Sequence, residues 1–200
     1  MSLIMKEKIL HNATEMFLNI GFKSITMDDI ANNSGISKKT IYAHFSNKTE
    51  LVKTVTLHIF DIVKKGVDLI HAQEQNPIIE LFEIKRFVMK HLKDEKSSPQ
   101  YQLQKYYPKI YKTLKQKQFK VMQELIKENL AKGIQQKLFR ATIDIDFTAR
   151  IYFHGMVGIK DKDLFPLENN SMNTLTTNHL EYHLRGISTD KGIKELEKQL

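Results

Sequence analysis

Residues 26–45 read TMDDIANNSGISKKTIYAHF, and this stretch decides the fold. Thr26 is followed three residues later by Asp29, an acidic variant of the capping box, which predicts that a short helix begins here. Gly35 is typical of the residue that ends such a helix. Ser37 is a favourable N-cap for a second short helix that ends near residue 44. Helices this short are stable only when neighbours pack against them, so the stretch predicts two short, packed helices joined by a tight turn.

The sequence on either side of this stretch also has a helical pattern. Apolar residues recur at steps of three and four from Met5 to Ile20, which predicts a first helix that ends at Gly21. A cap at residues 47–50 starts a long helix that we expect to link two domains. Further helices are predicted from Pro77, from Pro108, and over residues 144–159 and 172–187. With 4 Pro, 8 Gly and no strand-type alternation, the chain is predicted to be all-α.

Composition sets bounds on the protein class. The chain of 200 residues has 31 Lys and Arg against 23 Asp and Glu, a net charge of +8 that favours a polyanionic partner. No segment approaches the roughly 18 apolar residues of a membrane span, and the start of the chain lacks a signal-peptide pattern. We therefore expect a cytoplasmic protein without a membrane partner. The absence of cysteine excludes disulfides, thiolate zinc sites and cysteine nucleophiles.

The charged residues in and around the second short helix are all basic. From Ile36 to Thr49 the sequence has three lysines and one histidine but no acid. Hydroxyl groups in the same segment offer hydrogen bonds to phosphates and base edges. Two short helices joined by a turn have the geometry that places one helix in the major groove of DNA. The alternative is an ordinary helical hairpin with a solvated polar face.

The segment from Ile9 to Leu51 resembles the DNA-binding domain of the TetR family, over roughly a quarter of the chain. One departure is Lys39, where the family often has a small residue, and this affects the operator sequence rather than the fold. The resemblance implies a three-helix helix-turn-helix DNA-binding domain over residues 1–50. A helical ligand-binding and dimerisation domain would follow over residues 51–200. The resemblance rests on Ala13, Phe17, Gly21, Phe22, Thr26, Ile30, Ala31, Gly35, Ile36, Ser37, Tyr42, Phe45, Lys48 and Leu51.

The same resemblance implies the residues that contact DNA. The exposed first turn of the second short helix would read base edges, with Lys39 able to bind guanine O6 and N7. Tyr42, His44 and Lys48 would bind the phosphate backbone. The full predicted set is Thr26, Ser37, Lys38, Lys39, Thr40, Tyr42, His44 and Lys48. The apolar residues of the same segment are predicted to form its core and not to contact DNA: Ala13, Phe17, Ile30, Ala31, Ile41, Phe45 and Leu51.

Beyond residue 51 no motif of catalysis or cofactor binding is present, since there is no phosphate loop, metal spacing or nucleophile elbow. We therefore predict neither an enzyme nor a cofactor. By resemblance this domain binds a small-molecule effector, and its aromatic residues suit an apolar pocket with His154 or a tyrosine hydroxyl as polar group. Control by another protein, or by nothing, is the alternative, with the same aromatics as plain core. The candidate pocket residues are Phe82, Phe87, Tyr107, Tyr111, Phe119, Tyr152, Phe153 and His154.

The last two predicted helices resemble the dimerisation helices of the family. Their glycines would allow two helices to approach closely. A homodimer with two-fold symmetry implies a pseudo-palindromic operator of double-stranded DNA. A repressor of this design would leave its operator when an effector favours a wider separation of the two reading helices. The candidate interface residues are Ile151, Met156, Val157, Leu175, Leu180 and Leu184.

Two further patterns allow more than one interpretation. His179 and His183 lie four apart on one predicted helix, a spacing that suits a metal ligand pair but is also typical of surface or interface histidines. Glu181 does not directly follow the first histidine, as it would in a metalloprotease, and we predict no metal site. Six lysines between residues 105 and 120 form either a solvated surface, an anion-binding site or a face turned toward DNA.

Overall fold

The computed structural model describes residues 2–92, 98–166, 168 and 170–200. Over these residues the chain is all-α, as predicted, and its one β-type contact is an isolated bridge between Phe139 and Ser188. None of the described helices is long and apolar enough to cross a membrane. The helices are α1 (Ser2–Ile20), α2 (Met27–Asn33), α3 (Lys38–His44), α4 (Lys48–His71), α5 (Pro77–His91), α6 (Pro99–Tyr106), α7 (Pro108–Gln135), α8 (Ile145–Gly158), α9 (Met172–Ile187) and α10 (Asp190–Glu197).

The predicted caps form around α2 and α3. The Thr26 hydroxyl accepts the N–H of Asp29 at 3.1 Å, and the Asp29 carboxylate accepts the N–H of Thr26 at 2.8 Å, so the capping box is complete. Ser37 caps α3 by accepting the N–H of Thr40 at 3.0 Å. Gly35 has a φ of 62°, a left-handed conformation that favours glycine after the end of α2. Local sequence signals therefore determine the boundaries of both short helices.

The chain divides into two compact units. The first unit comprises Met1–Ile62 and Glu95–Lys115, and the second comprises Val63–Asp94 and Gln116–Leu200. The helices α4 and α7 therefore each contribute residues to both units. The predicted functional division at residue 50 remains a prediction, because the compact units divide the chain by packing and include α6 in the first unit.

The core of the first unit is built from the inward faces of α1 to α4 together with α6 and the start of α7. The residues that we predicted to be core in the DNA-binding segment are all at most 2% exposed, which confirms their structural role. Ile20, the last residue of α1, is an exception to the predicted apolar stripe because it is 55% exposed. The confirmed core residues are Ala13, Phe17, Ile30, Ala31, Ile41, Phe45 and Leu51.

The core of the second unit is formed by α5, the second half of α7, α8, α9 and α10. The helix α10 follows directly after α9, and the N–H of Thr189 donates to the carbonyl of Leu138 at 2.9 Å. This short helix was not predicted, although Leu196 within it is fully buried. Ser98 and Pro99, at the start of α6, are also buried.

Candidate nucleic-acid interface

The helix α3 has one face in the core and one face in solvent. Ile41 is fully buried and Phe45, just after the helix, is 1% exposed, so these two side chains fix the orientation of α3. Lys38, Lys39 and Tyr42 are exposed on the other side. A short helix held this way presents its first turn as a rigid surface.

The hydroxyl groups at the start of α3 are engaged with each other. The oxygens of Ser37 and Thr40 lie 2.8 Å apart, and Ser37 also serves as the N-cap. Lys39 differs from both, since no described residue forms a hydrogen bond or ion pair with its side chain. Among the predicted base-reading residues, Lys39 can therefore bind a ligand without first giving up an existing bond.

An acidic residue of α2 faces this first turn. The Lys38 ammonium lies 2.9 Å from a carboxylate oxygen of Asp28, and both side chains are more than half exposed. The hydrogen bond to Asp28 raises the pKa of Lys38. Sequence analysis missed this pair, because Asp28 lies ten residues upstream of Lys38, outside the acid-free segment. The hairpin therefore carries its own counterion for one of its lysines.

The predicted phosphate contacts lie at the edges of the same surface. Lys48 is the first residue of α4, and its ammonium donates to the carbonyl of Lys23 at 3.3 Å. Burial of the ammonium lowers the pKa of Lys48, and the charge of Asp29 opposes part of this shift. Tyr42 is 43% exposed, whereas His44 is half-buried. The Thr26 hydroxyl donates to Asp29 at 2.7 Å and is committed to the capping box.

The eight predicted DNA-contacting residues therefore all lie between the N-cap of α2 and the first turn of α4, within the first unit. The side chains differ in availability, because Thr26, Ser37 and Thr40 take part in caps while Lys39 and Tyr42 point outward. Their role in binding DNA remains a prediction.

The predicted pocket residues do not form one group. Tyr107 and Tyr111 pack against the core of the first unit, whereas the other six lie on helices of the second unit. Within the second unit, the rings of Phe119 and Phe153 meet edge to face with centroids 5.1 Å apart. Phe82 and Tyr152 are buried in the core, and the ring of Phe87 lies against Gly66 of α4 so closely that no Cβ would fit there.

The polar group of the expected pocket must be reassigned. His154 is exposed to solvent, so its side chain does not point into the interior of the unit. Gln123 of α7 is 8% exposed instead, and its amide donates to the carbonyl of Ala149 at 3.0 Å. No described residue donates a hydrogen bond to its buried oxygen Oε1. Sequence analysis missed Gln123, because one glutamine in a long polar helix has no distinguishing pattern.

The histidine pair of α9 packs against the buried ring of Tyr152. The centroids of His179 and His183 lie 5.6 Å and 5.0 Å from that ring, and 6.3 Å from each other. Burial lowers the pKa of His183 to about 4, and burial also lowers the pKa of His179. Over the described residues, no group of three or more acidic, histidine or cysteine side chains could hold a metal ion. The pair is therefore an aromatic cluster of neutral rings.

Part of the predicted dimer interface is instead intrachain core. Leu180 and Leu184 are 1% and 0% exposed, and Leu175 is 6% exposed, because these faces of α9 pack inside the second unit. Met156 and Val157 are half-buried. Ile151 is 47% exposed and remains a candidate, joined by two aromatic residues that sequence analysis did not select. These are Phe147 of α8, 63% exposed, and Tyr182 of α9, 81% exposed.

The arrangement of α2 and α3 is a helix-turn-helix, which defines a class of DNA-binding domains. Residues 9–55 match the family model for bacterial regulatory proteins of the tetR family. Residues 9–55 of this chain are thus similar to the corresponding segment of TetR-family regulatory proteins. The matched family is one of regulatory proteins, in agreement with the prediction that the chain is not an enzyme.

Relatives with similar sequence match less than a third of the chain. The chain is 38% identical over 60 residues to the HTH-type transcriptional activator FasR of Mycolicibacterium smegmatis, which is 30% of this chain and 27% of FasR. It is 35% identical over 57 residues to the biofilm operon icaADBC negative transcriptional regulator IcaR of Staphylococcus epidermidis, which is 28% of this chain and 31% of IcaR. The matched segment thus spans about a third or less of these relatives' length.

Solved structures extend the similarity to the whole fold. A TetR-family regulator from Agrobacterium tumefaciens superposes with a TM-score of 0.74 at 17% identity, covering 94% of this chain and all of that one. The structure of SmeT, repressor of the Stenotrophomonas maltophilia multidrug efflux pump SmeDEF, gives a TM-score of 0.68 at 16% identity, covering 92% and 91%. Both units of this chain therefore have the fold of TetR-family regulators.

Proposed function

We propose that this protein is a transcriptional regulator that binds a pseudo-palindromic operator as a homodimer and is released from it by a small-molecule effector. The observation that carries the proposal is the orientation of α3, whose apolar side is fixed in the core while Lys39 and Tyr42 face solvent. Lysine can bind guanine O6 and N7 in the major groove, and a tyrosine hydroxyl can donate to a phosphate. The family match over residues 9–55 supports the same conclusion.

The proposed effector site lies in the second unit beside Gln123. A buried hydrogen-bond acceptor to which no described residue donates needs another donor, so Gln123 Oε1 suits a ligand that carries an N–H or O–H group. Phe119 lies one helical turn away on α7 and contacts Phe153, which supplies apolar surface nearby. We therefore propose a mostly apolar effector with one hydrogen-bond donor.

The proposed dimer forms through the exposed sides of α8 and α9. Phe147 and Ile151 lie one turn apart on α8, and Tyr182 is the most exposed large hydrophobic residue on α9. A Cβ at Gly158 or Gly186 would meet nothing within 4 Å, so these positions leave room for close approach by a second copy. Two-fold symmetry would then present two α3 helices to two half-sites.

The test of DNA binding uses duplexes selected by the wild-type protein from a random library, followed by fluorescence anisotropy over a salt series. Lys39→Ala should change the selected sequence. Lys48→Ala should weaken binding to all sequences and reduce the slope of log affinity against log salt by about 0.9 for each phosphate that the variant no longer neutralises. Lys194→Ala is the control, since Lys194 is exposed on α10 in the second unit. The proposal fails if wild-type protein enriches no sequence, or if all three variants bind alike.

A further inference from the structure

The helix α6 is attached to the turn between α1 and α2 within the first unit. The side-chain oxygen of Gln102 accepts the N–H of Lys23 at 3.0 Å. At Gly21 the same side chain comes so close that a Cβ would lie 2.2 Å from its amide nitrogen. Gly21 has a φ of 105°, which also disfavours any other residue. The contact therefore holds α6 next to the segment that leads into the helix-turn-helix.

Lys23 lies between Tyr106 of α6 and Lys48 of α4. The Lys23 ammonium lies 5.3 Å from the ring centroid of Tyr106, in cation–π geometry. On its other side, the carbonyl of Lys23 accepts a hydrogen bond from Lys48, a predicted phosphate contact. Lys23 is exposed and Tyr106 is 38% exposed. The basic surface near Lys48 is thus continuous with α6.

The start of α7, close in the chain to Tyr106, adds another exposed lysine. Lys109 lies three residues after Tyr106 and is exposed, whereas Ile110 and Leu114 of the same helix are buried in the core of the first unit. Residues 98–123 include six lysines and no acid, and residues 30–49 are also free of acid. Lys23 of the α1–α2 turn therefore links the two acid-free segments, because it contacts Gln102 of one and Lys48 of the other.

We propose that Lys23, Tyr106 and Lys109, here called the flank patch, bind phosphates of the operator duplex outside the segment that α3 reads. The inference rests on the proposed function, and it adds a second contact surface from α6 and α7 to the helix-turn-helix. Charge complementarity favours DNA as the occupant, and so does continuity with Lys48. A tyrosine hydroxyl and two ammonium groups bind phosphate oxygens without selecting a base, so the patch adds affinity but no sequence preference.

The test compares two duplexes that share the selected operator sequence. The short duplex ends at the base pairs beneath the two reading helices, and the long duplex extends beyond them on both sides. The double variant Lys23→Gln, Lys109→Gln is measured against Lys194→Gln, a control that removes an exposed lysine in the second unit. The charge-preserving variant Lys23→Arg, Lys109→Arg is the rescue, and thermal melting establishes that each variant is folded.

On the long duplex, the double glutamine variant should bind several-fold more weakly than the control, with a salt slope lower by about 0.9 for each phosphate left without its lysine. On the short duplex the two should bind alike, and the arginine variant should bind both duplexes as wild type does. The flank patch is refuted if the affinity of the glutamine variant is unchanged on the long duplex, or falls equally on both. Failure of wild-type protein to prefer the selected sequence refutes the proposed function instead, so the two failures are distinguishable.

Discussion

At the scale of single residues, the charge that α3 presents is set partly by α2. Asp28 forms an ion pair with Lys38 in solvent, and a carboxylate at this position would also repel the phosphates of DNA. Such pairs contribute little to folding stability, because water and salt screen the exposed charges. We therefore expect Asp28 to lower the electrostatic attraction between the hairpin and DNA.

The variant Asp28→Asn should bind DNA a few-fold more tightly than wild type, and most clearly at low salt, because a repulsive charge is removed and Lys38 becomes available to a phosphate. Its unfolding midpoint in urea should be nearly unchanged. Asp163→Asn, which removes an exposed acid from the second unit, is the matched control. Equal affinities for the two variants would contradict this role.

His183 provides a second prediction at this scale, because it is 8% exposed and remains neutral beside Tyr152. Its pKa is lowered from 6.5 to about 4, so in acid the unfolded chain binds a proton that the folded chain does not. The contribution of neutral His183 to stability is therefore fully present above pH 6.5 and falls as the pH decreases toward 4, by on the order of 2–3 kcal/mol in total. His179 acts in the same direction.

His71 contributes a pH dependence of stability with the opposite sign. Its ring nitrogens lie 2.9 Å from carboxylate oxygens of Glu80 and Glu128, and the hydrogen bond to Glu80 is the main cause that raises its pKa. The contribution of His71 to stability is fully present below pH 6.5 and is lost as the pH rises through the raised pKa.

His183→Phe should flatten the pH dependence of the free energy of unfolding between pH 6.5 and 4.5, measured by urea denaturation. A wild-type slope in this variant, or a flattened slope in the exposed control His58→Gln, would contradict the assignment.

At the scale of helices, the sequence was most informative where a local signal decides the structure. The caps at Thr26 and Ser37 and the glycines at 21 and 35 act through bonds between near neighbours, so α2 and α3 were predictable. The DNA contacts, which follow a fixed local spacing, remain a prediction. The pairing of Lys38 with Asp28 was not predictable, because it depends on how two helices pack.

Tertiary packing also explains the helices and faces that were predicted wrongly or missed. The helix α10 has only eight residues, and it is stabilised by burial of Leu196 rather than by its own propensity. On α9 the apolar residues occupy more than one side, so sequence could not distinguish Leu184 in the core from Tyr182 on the surface. The buried oxygen of Gln123 could not be predicted either, because its burial depends on tertiary packing.

The role of α10 can be tested at its one fully buried leucine. Leu196→Ala should lower the free energy of unfolding by about 2–4 kcal/mol, because it removes buried surface and leaves a cavity in the second core. Leu200→Ala is the matched control, since Leu200 is 54% exposed, and it should change stability by less than about 0.5 kcal/mol. Urea denaturation measures both, and similar values for the two variants would show that α10 is not part of the core.

At the scale of the whole molecule, the proposed function requires two copies. One α3 helix reads only a few base pairs, and the affinity of a dimer comes from two half-sites bound at a fixed spacing. Phe147, Ile151 and Tyr182 are exposed apolar side chains of α8 and α9, and exposed apolar groups are costly to leave in water. In the proposed dimer a second copy of the chain covers them.

Ile151→Asp should convert the dimer to a monomer, because it places a charge in an apolar interface while leaving the fold intact at a position that is 47% exposed. Sedimentation velocity should show the smaller species, and affinity for the selected duplex should fall by at least about tenfold because only one half-site remains bound. Leu69→Asp is the matched control, an exposed leucine of α4 at 70%. If Ile151→Asp sediments as wild type does while Leu69→Asp dissociates, the dimer forms through another surface and the assignment of α8 and α9 is wrong.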